Sequence, residues 1–455
     1  MAYETINPVT GEKLRSFESL TNDEMIKAIE KADGAFHDWK KTSFSQRAAL
    51  LRRVGELLRE RKEELGRIMA TEMGKPIKEG IAEAEKCATV CEFYADNAES
   101  FLSDEPLASE ASESFAAYNP LGVVLAVMPW NFPFWQVFRF AAPATMAGNT
   151  GLLKHASNVP QCAMAIEKLF TDAGYPGGVF QSLLISSKQI PELLEHPAVK
   201  AATLTGSEYA GSAVAKKAGE MIKKTVLELG GSDSYIVLAD ADLELAAKAC
   251  AGSRMINTGQ SCIAAKRFIV EKSRIDEFTR LFTGHIQSYK MDDPTKPETN
   301  MGPMARTDLR DDVHKQVRQS IDEGAKCILG GEIPDKPGAW YPPTVLTGVR
   351  KGMAAFDEEI FGPVAAIIEA DDEDHAIALA NDSKYGLGSA IFTADVAKGR
   401  KIAAEQLEAG FCCVNDFVRS DPRLPFGGVK MSGYGRELSV QGIREFVNLK
   451  TVYVK

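Results

Sequence analysis

Three short segments of the chain carry side chains that could together work on a carbonyl carbon. In NTGQSC, residues 257–262, the turn formers Asn257, Gly259 and Ser261 deliver Cys262, with Lys266 and Arg267 just beyond. A thiol in such a turn near positive charge can be partly exposed and partly ionised, as a nucleophile requires. Taken alone, though, a cysteine is more often a buried and inert side chain. In LELGG, residues 227–231, Glu228 stands between leucines at the end of an apolar run. A carboxylate in apolar surroundings has a raised pKa, which suits a general base near neutrality. The plainer reading is a strand-end glutamate paired with a lysine. Gly230 and Gly231 then admit close approach of a ligand or of another stretch of backbone. In PWNFP, residues 129–133, two prolines fix a turn around Trp130 and Asn131. A rigidly held amide N–H beside a reacting carbonyl is an oxyanion donor.

Elements of two kinds must hold these segments. Helical patterns dominate the first hundred residues: Thr21-Asn22-Asp23 caps a segment to about Trp39, and Ser45 can cap a longer one. In the latter, Ala48, Leu51, Val54, Leu58, Leu65 and Ile68 recur near helical spacing, a core-facing stripe with no function assigned to it. From about residue 118 short apolar runs alternate with helical ones: 121–128, a helix around 135–147, then 150–154, 179–185 and 201–205. A second alternation follows Gly230-Gly231, with strands expected at 234–238, 266–270, 326–329, 364–368, 388–392 and 410–414. Such alternation implies βα units around buried parallel sheets, here two α/β domains joined near Glu228–Gly231. The tail EFVNLKTVYVK reads as a last strand, which pairs within the chain or adds to another subunit's sheet.

The bulk properties narrow the function classes. The chain has 455 residues, enough for two or three domains, with 45% hydrophobic and 25% charged residues, an ordinary globular balance. Its formal net charge of −10 argues against phosphate-backbone binding, so no nucleic-acid partner is expected. The start, MAYETINPVTGEK, shows no secretory signal pattern, and no apolar run has the length of a membrane span. Cys87, Cys91, Cys162, Cys250, Cys262, Cys327, Cys412 and Cys413 form neither a disulfide framework nor a zinc-ligand spacing. A cytoplasmic protein with reduced thiols, no metal site and no membrane partner is expected.

The three segments, with TEMGKP at 71–76, LLK at 152–154, TLTGS at 203–207, EEIFGP at 358–363 and PFGGVKMSGYGRE at 425–437, occur in an order that resembles the aldehyde dehydrogenase superfamily over essentially the whole chain. Within it the chain is most similar to bacterial NAD(P)-dependent succinate-semialdehyde dehydrogenases, notably through MPWNFPFWQVFRFAAPA and LLKHASNVPQC. The resemblance implies an α/β fold with a Rossmann-type cofactor domain, an α/β catalytic domain and a small β oligomerisation extension. Its implied bounds are 1–101 and 121–229 for NAD(P) binding, 230–440 for catalysis, and 102–120 with 441–455 for assembly into a homodimer or homotetramer.

It also implies roles. Cys262 attacks an aldehyde, Asn131 holds the resulting alkoxide, and Glu228 activates water to hydrolyse the thioester. Relatives that pass the acyl group to coenzyme A generally lack this glutamate. Glu437 matches a carboxylate given a secondary proton-relay role, with a solvated charge at a helix start as the plainer reading. Trp130, Lys154, Ser157, Gly206, Ser207, Gly211, Leu229, Glu359 and Phe361 are expected at the cofactor, and the lack of GxGxxG fits the family's own mode of dinucleotide binding. NAD-preferring relatives commonly have glutamate where this chain has Ser157, so NADP is the expected cofactor, with NAD also compatible. Arg139, lying among aromatics, needs an anion or a route to water, and the resemblance gives it the distal carboxylate of the substrate, with Ser261 and Ser420 as further donors. Oxidation of succinate semialdehyde to succinate is therefore expected. The alternatives are another aldehyde, such as glutarate semialdehyde or an uncharged one, or a non-catalytic binding protein. Loss of the nucleophile or base would mark the last, and both are present.

Overall fold

The structure, a computed structural model, describes residues 3–455. Two parallel-rich sheets organise it. The first runs Gly433–Tyr434, Lys224–Glu228, Val199–Thr205, Val123–Met128, Thr150–His155 and Phe180–Ser182, all parallel except the first. The strand Val123–Met128 is a continuous apolar run because helices cover both faces. Its Val124, Ala126 and Met128 pack on one side with Phe138 and Val137, and Val123 and Leu125 on the other with Met25 and Ile29. Along the chain the strands grow outward from Val123–Met128 in one direction and then resume on its other side at Val199–Thr205. That reversal is a topological switch point, where the carboxyl ends of neighbouring strands leave a crevice for a ligand. Asn131, Ser207 and Leu229 all follow such strand ends.

The second sheet runs Lys326–Leu329, Thr344–Thr347, Val364–Ala370, Arg267–Glu271, Ser234–Val237, Gly388–Phe392 and Phe411–Val414, with only the first strand antiparallel. Every strand of the second alternation is thus present. A return crossing ties the sheets together: Gly433 pairs with Glu228 and Tyr434 with Leu227. Gly433 sits at φ 113°, and a Cβ there would run into the Leu227 carbonyl, so only glycine permits this approach. The tail forms the strand Val447–Val454, which pairs antiparallel with Glu113–Pro120 of the same chain, and Glu105–Pro106 completes a third sheet.

Several expectations change. Ser43, not Ser45, caps the second helix, in a reciprocal box with Gln46. The stripe expected on one long helix divides between Phe44–Glu60 and Lys62–Met73 at Arg61 (φ −110°). The run 179–185 yields only a three-residue strand. The hairpin Tyr3–Ile6 with Lys13–Phe17 lies where helical patterns dominate and was not anticipated. No helix among the described residues is long and apolar enough to cross a membrane.

Candidate active site

The loop that carries Cys262 is held by an unusual backbone. Asn257, Thr258 and Gly259 are all left-handed, at φ 51°, 56° and 74°. Such strain persists only where contacts over-determine it. Here Asn257 Nδ2 donates to the Asn131 carbonyl at 2.7 Å, and Asn257 N–H donates to Glu79 at 2.9 Å. Thr258 Oγ1 donates to the Gly302 carbonyl, and Gly259 lies so close to Gly362 that a side chain would not fit. Asn131 in turn donates one amide hydrogen to the Gln260 carbonyl at 3.1 Å. An amide has two such hydrogens, so the second remains available beside Cys262.

Cys262 stands where two cavities meet. One, of about 240 Å³, is lined by Trp130, Asn131, Gly206, Ser207, Leu229, Glu359 and Phe361 among others. The other, of about 380 Å³, is lined by Arg139, Ser261, Ser420, Lys86 and aromatic side chains including Phe132, Trp135 and Phe426. Cys262 and Gln136 line both.

The thiol departs from the expected picture. Burial pushes its pKa up to about 12, against the pull of Arg139 and Lys266, so the resting group is a neutral thiol, not a partly ionised one. Lys266 is committed to the loop backbone, donating to the carbonyls of Ser261 (2.8 Å) and Cys262 (2.6 Å). Arg267 is buried against the carbonyls of Ser232, Leu379 and Ala380. Lys266 thus pulls on the thiol without outweighing burial, and Arg267 is engaged elsewhere.

Glu228 has no lysine partner. Its side chain is buried, no side chain donates to either oxygen, and burial followed by the charge of Glu437 raises its pKa to about 8 against the weaker pull of Arg139, Arg436 and the Gly428 N–H. It is turned toward Gly427, where an added Cβ would lie 2.8 Å from its Oε1. It lines neither cavity in this conformation. Glu437 is likewise not solvated: it is buried, and its Oε2 lies 2.7 Å from Arg139 Nε. Burial raises the pKa of Glu437 against the pull of Arg139, so Arg139 has a carboxyl neighbour within the chain, while its Nε and Nη2 make no hydrogen bond and its guanidinium lies over the Phe426 ring.

A profile of the aldehyde dehydrogenase family matches residues 1–452. The chain belongs to the aldehyde dehydrogenase family. It is 51% identical over its full length to a Synechocystis protein, covered in full, described as a probable succinate-semialdehyde dehydrogenase [NADP(+)]. It is 48% identical over 99% of its length to 97% of an Escherichia coli succinate semialdehyde dehydrogenase [NAD(P)+]. Its fold matches that of a Streptococcus pyogenes succinic semialdehyde dehydrogenase in complex with NADP+, with a TM-score of 0.97, 39% identity and full coverage of both chains.

In this aldehyde dehydrogenase the first cavity fits a dinucleotide by its own construction. Ser207 caps the helix Glu208–Glu220 and accepts from the Ala210 N–H, leaving that helix N-terminus at the cavity wall, where a phosphate is favoured. A Cβ at Gly230 would collide with Glu359, whose Oε1 accepts from the Gly231 N–H at 3.0 Å. Phe361 meets Trp130 edge-on at 5.8 Å between centroids. Gly211 lies under Leu229, which a side chain there would displace. Lys154 and Ser157 lie outside this cavity, at and just beyond the carboxyl end of Thr150–His155. Lys154 is partly buried with its pKa lowered by desolvation, and Ser157 is exposed.

Three residues of the site were missed in the sequence. Gln136 is buried with its Oε1 unpaired. Glu83 accepts from the Phe134 and Trp135 N–H groups, both at 2.9 Å, at the start of the helix that carries Arg139. Lys86 donates to Ser420 at 2.9 Å. A lysine on a helix, far in sequence from any motif, carries no signal by itself.

Proposed function

We propose that this chain oxidises succinate semialdehyde to succinate, with NADP preferred over NAD. The observation that carries the reading is the meeting of two cavities at Cys262: one built of strand ends and glycines, the other cationic and aromatic. The names of the full-length relatives support both the substrate and the cofactor.

Cys262 Sγ adds to the aldehyde carbon as the thiol gives up its proton to solvent. The second amide hydrogen of Asn131 stabilises the alkoxide. When bound, the dinucleotide supplies the acceptor for the hydride that leaves the same carbon. The product of that step is a thioester on Cys262. Glu228 then turns from Gly427 toward the thioester and takes a proton from water as the water oxygen attacks. The Cys262 thiolate leaves and takes the proton back from Glu228, and the acid is released and ionises. Overall, aldehyde, oxidised dinucleotide and water become carboxylate, reduced dinucleotide and two protons.

Arg139, Ser261 and Ser420 bind the distal carboxylate of the substrate, and Lys154 with Ser157 meets the 2′-phosphate of NADP. The residue at 157 supports the cofactor preference, since serine donates to a phosphate where glutamate would repel it. We read 1–101 and 121–229 as the dinucleotide-binding domain, 230–440 as the catalytic domain, and 102–120 with 441–455 as the extension through which copies of the chain associate. Exposed Leu449 and Tyr453 on that extension support the assignment. The eight free thiols support a cytoplasmic setting.

The test is steady-state kinetics with NADP and NAD, each against succinate semialdehyde and butanal. NADP with the acid aldehyde should give the highest kcat/KM, and Arg139→Ala should raise KM for the acid aldehyde far more than for butanal. Equal kcat/KM for the two aldehydes would sink the substrate assignment.

A further inference from the structure

The cavity on the substrate side of Cys262 is lined by three cations: Lys86, Arg139 and Arg419. Two of them are already matched. Arg139 has Glu437 at 2.7 Å, and Arg419 has Asp416 at 2.5 Å. Lys86 alone of the three has no carboxylate within ion-pair distance among the described residues. The acids around it are committed elsewhere. Glu83 pairs with Lys75 and accepts two backbone N–H groups, Asp421 pairs with Arg423 at 2.6 Å, and Glu79 accepts from Asn257.

The immediate partners of Lys86 are neutral. Its ammonium donates to Ser420 Oγ at 2.9 Å and lies 4.2 Å from the centroid of the Trp135 ring. Desolvation, reinforced by the charge of Arg139, lowers its pKa to about 8, so it stays mostly protonated at neutral pH. A cation held partly out of water without a counter-charge costs free energy that an anionic ligand would recover.

Ser420 sharpens the point. Its oxygen accepts from both Lys86 and Trp135 Nε1, the latter at 2.8 Å. A hydroxyl has two lone pairs and one proton, so the proton is the group left to offer a ligand. A charged donor and a neutral O–H therefore stand side by side in the cavity that Cys262 also lines. Arg139 stands beside them with the Glu437 carboxyl 2.7 Å from its Nε, so one face of its guanidinium is already occupied from within the chain.

We propose that Lys86 is a substrate-binding residue that selects for the carboxylate of the aldehyde, acting through Ser420 and beside Arg139. The proposal rests on the reading of the substrate as an acid aldehyde. It differs from that reading in giving the unpaired charge of the site to the helix Ile77–Phe101, which none of the three chemistry-bearing segments includes.

The experiment compares Lys86→Gln and Lys86→Arg with the wild type on succinate semialdehyde and butanal, and measures inhibition by succinate against the aldehyde. The Gln variant should lower the ratio of kcat/KM for the acid aldehyde over butanal by on the order of 10–100-fold, mainly through KM. Its inhibition constant for succinate should rise in parallel. The Arg variant, keeping the charge, should restore most of both, which a merely structural role for the lysine stem would not produce. A ratio and a succinate constant within about twofold of wild type in Lys86→Gln, with Arg139→Ala still selective in its loss, would overturn the proposal and leave the substrate reading intact. A wild type without preference for the acid aldehyde would overturn both.

Discussion

The two cavities that share Cys262 are made of different material. The cofactor side is lined largely by residues at or just past strand ends: Asn131, Gly206, Ser207, Leu229 and Gly230. The substrate side is lined by side chains from helices and a distant loop: Lys86, Trp135, Arg139, Phe417 and Ser420. Strand ends and helix N-termini recognise what every dinucleotide has in common, so their geometry follows from the sheet. Side chains on helices can be exchanged without disturbing the sheet, so they carry the choice of aldehyde. The difference separates chemistry set by the sheet from a specificity set by exchangeable side chains, with the nucleophile on the border between them.

The sharpest way to break this division is at the border itself. Cys262→Ala should remove turnover with every aldehyde and both cofactors, by on the order of 10⁴-fold or more, while cofactor binding measured by fluorescence persists. Loss of cofactor binding in the same variant would mean that the two cavities are not independent. Glu228→Gln comes next. It should cut steady-state turnover by roughly 10²–10³-fold while leaving a burst of reduced cofactor, since the base serves hydrolysis more than hydride departure.

The pH dependence follows from the same carboxyl. The pKa of Glu228 is raised to about 8, so at pH 7 only about one tenth of it is ionised and the base form grows as pH rises. Wild-type kcat should climb through pH 8 and level off above it, and the Gln variant should lack that limb. A flat wild-type profile across that range would remove Glu228 as the limiting base. The smallest effect is expected far from the thiol. Ser157→Glu should shift the NADP/NAD ratio of kcat/KM toward NAD by roughly 10-fold, through repulsion of the 2′-phosphate, with little dependence on the aldehyde. An aldehyde-dependent shift would contradict the division between the cavities.

The local chemistry was legible because it is contiguous. Asn131 in its proline-bounded turn, Glu228 beside two glycines and Cys262 in its turn could each be singled out, and the order of the segments carried the family. Most strands of both sheets were legible too, since buried parallel strands leave continuous apolar runs, but the short strands Thr344–Thr347 and Gly433–Tyr434 were not anticipated. Capping and breaks were less so: Ser43 and Ser45 are both capable caps, and only the chain's entry into Phe44–Glu60 chose between them. The hairpin at the start alternates too weakly to compete with the helical patterns that follow.

The Cys262 turn ends this account as it began it. The sequence alone determined that a thiol, an amide and a carboxylate are present in an order suited to aldehyde oxidation. The tertiary structure decided their states. Burial makes the thiol neutral and lifts Glu228 toward neutrality, because desolvation depends on what the rest of the chain covers. It also paired Arg139 with Glu437, 298 positions apart by their numbers, and set Lys86 against Ser420. Charges so far apart in the chain meet only when the return crossing and the helices close over the site, and no local pattern records such a meeting.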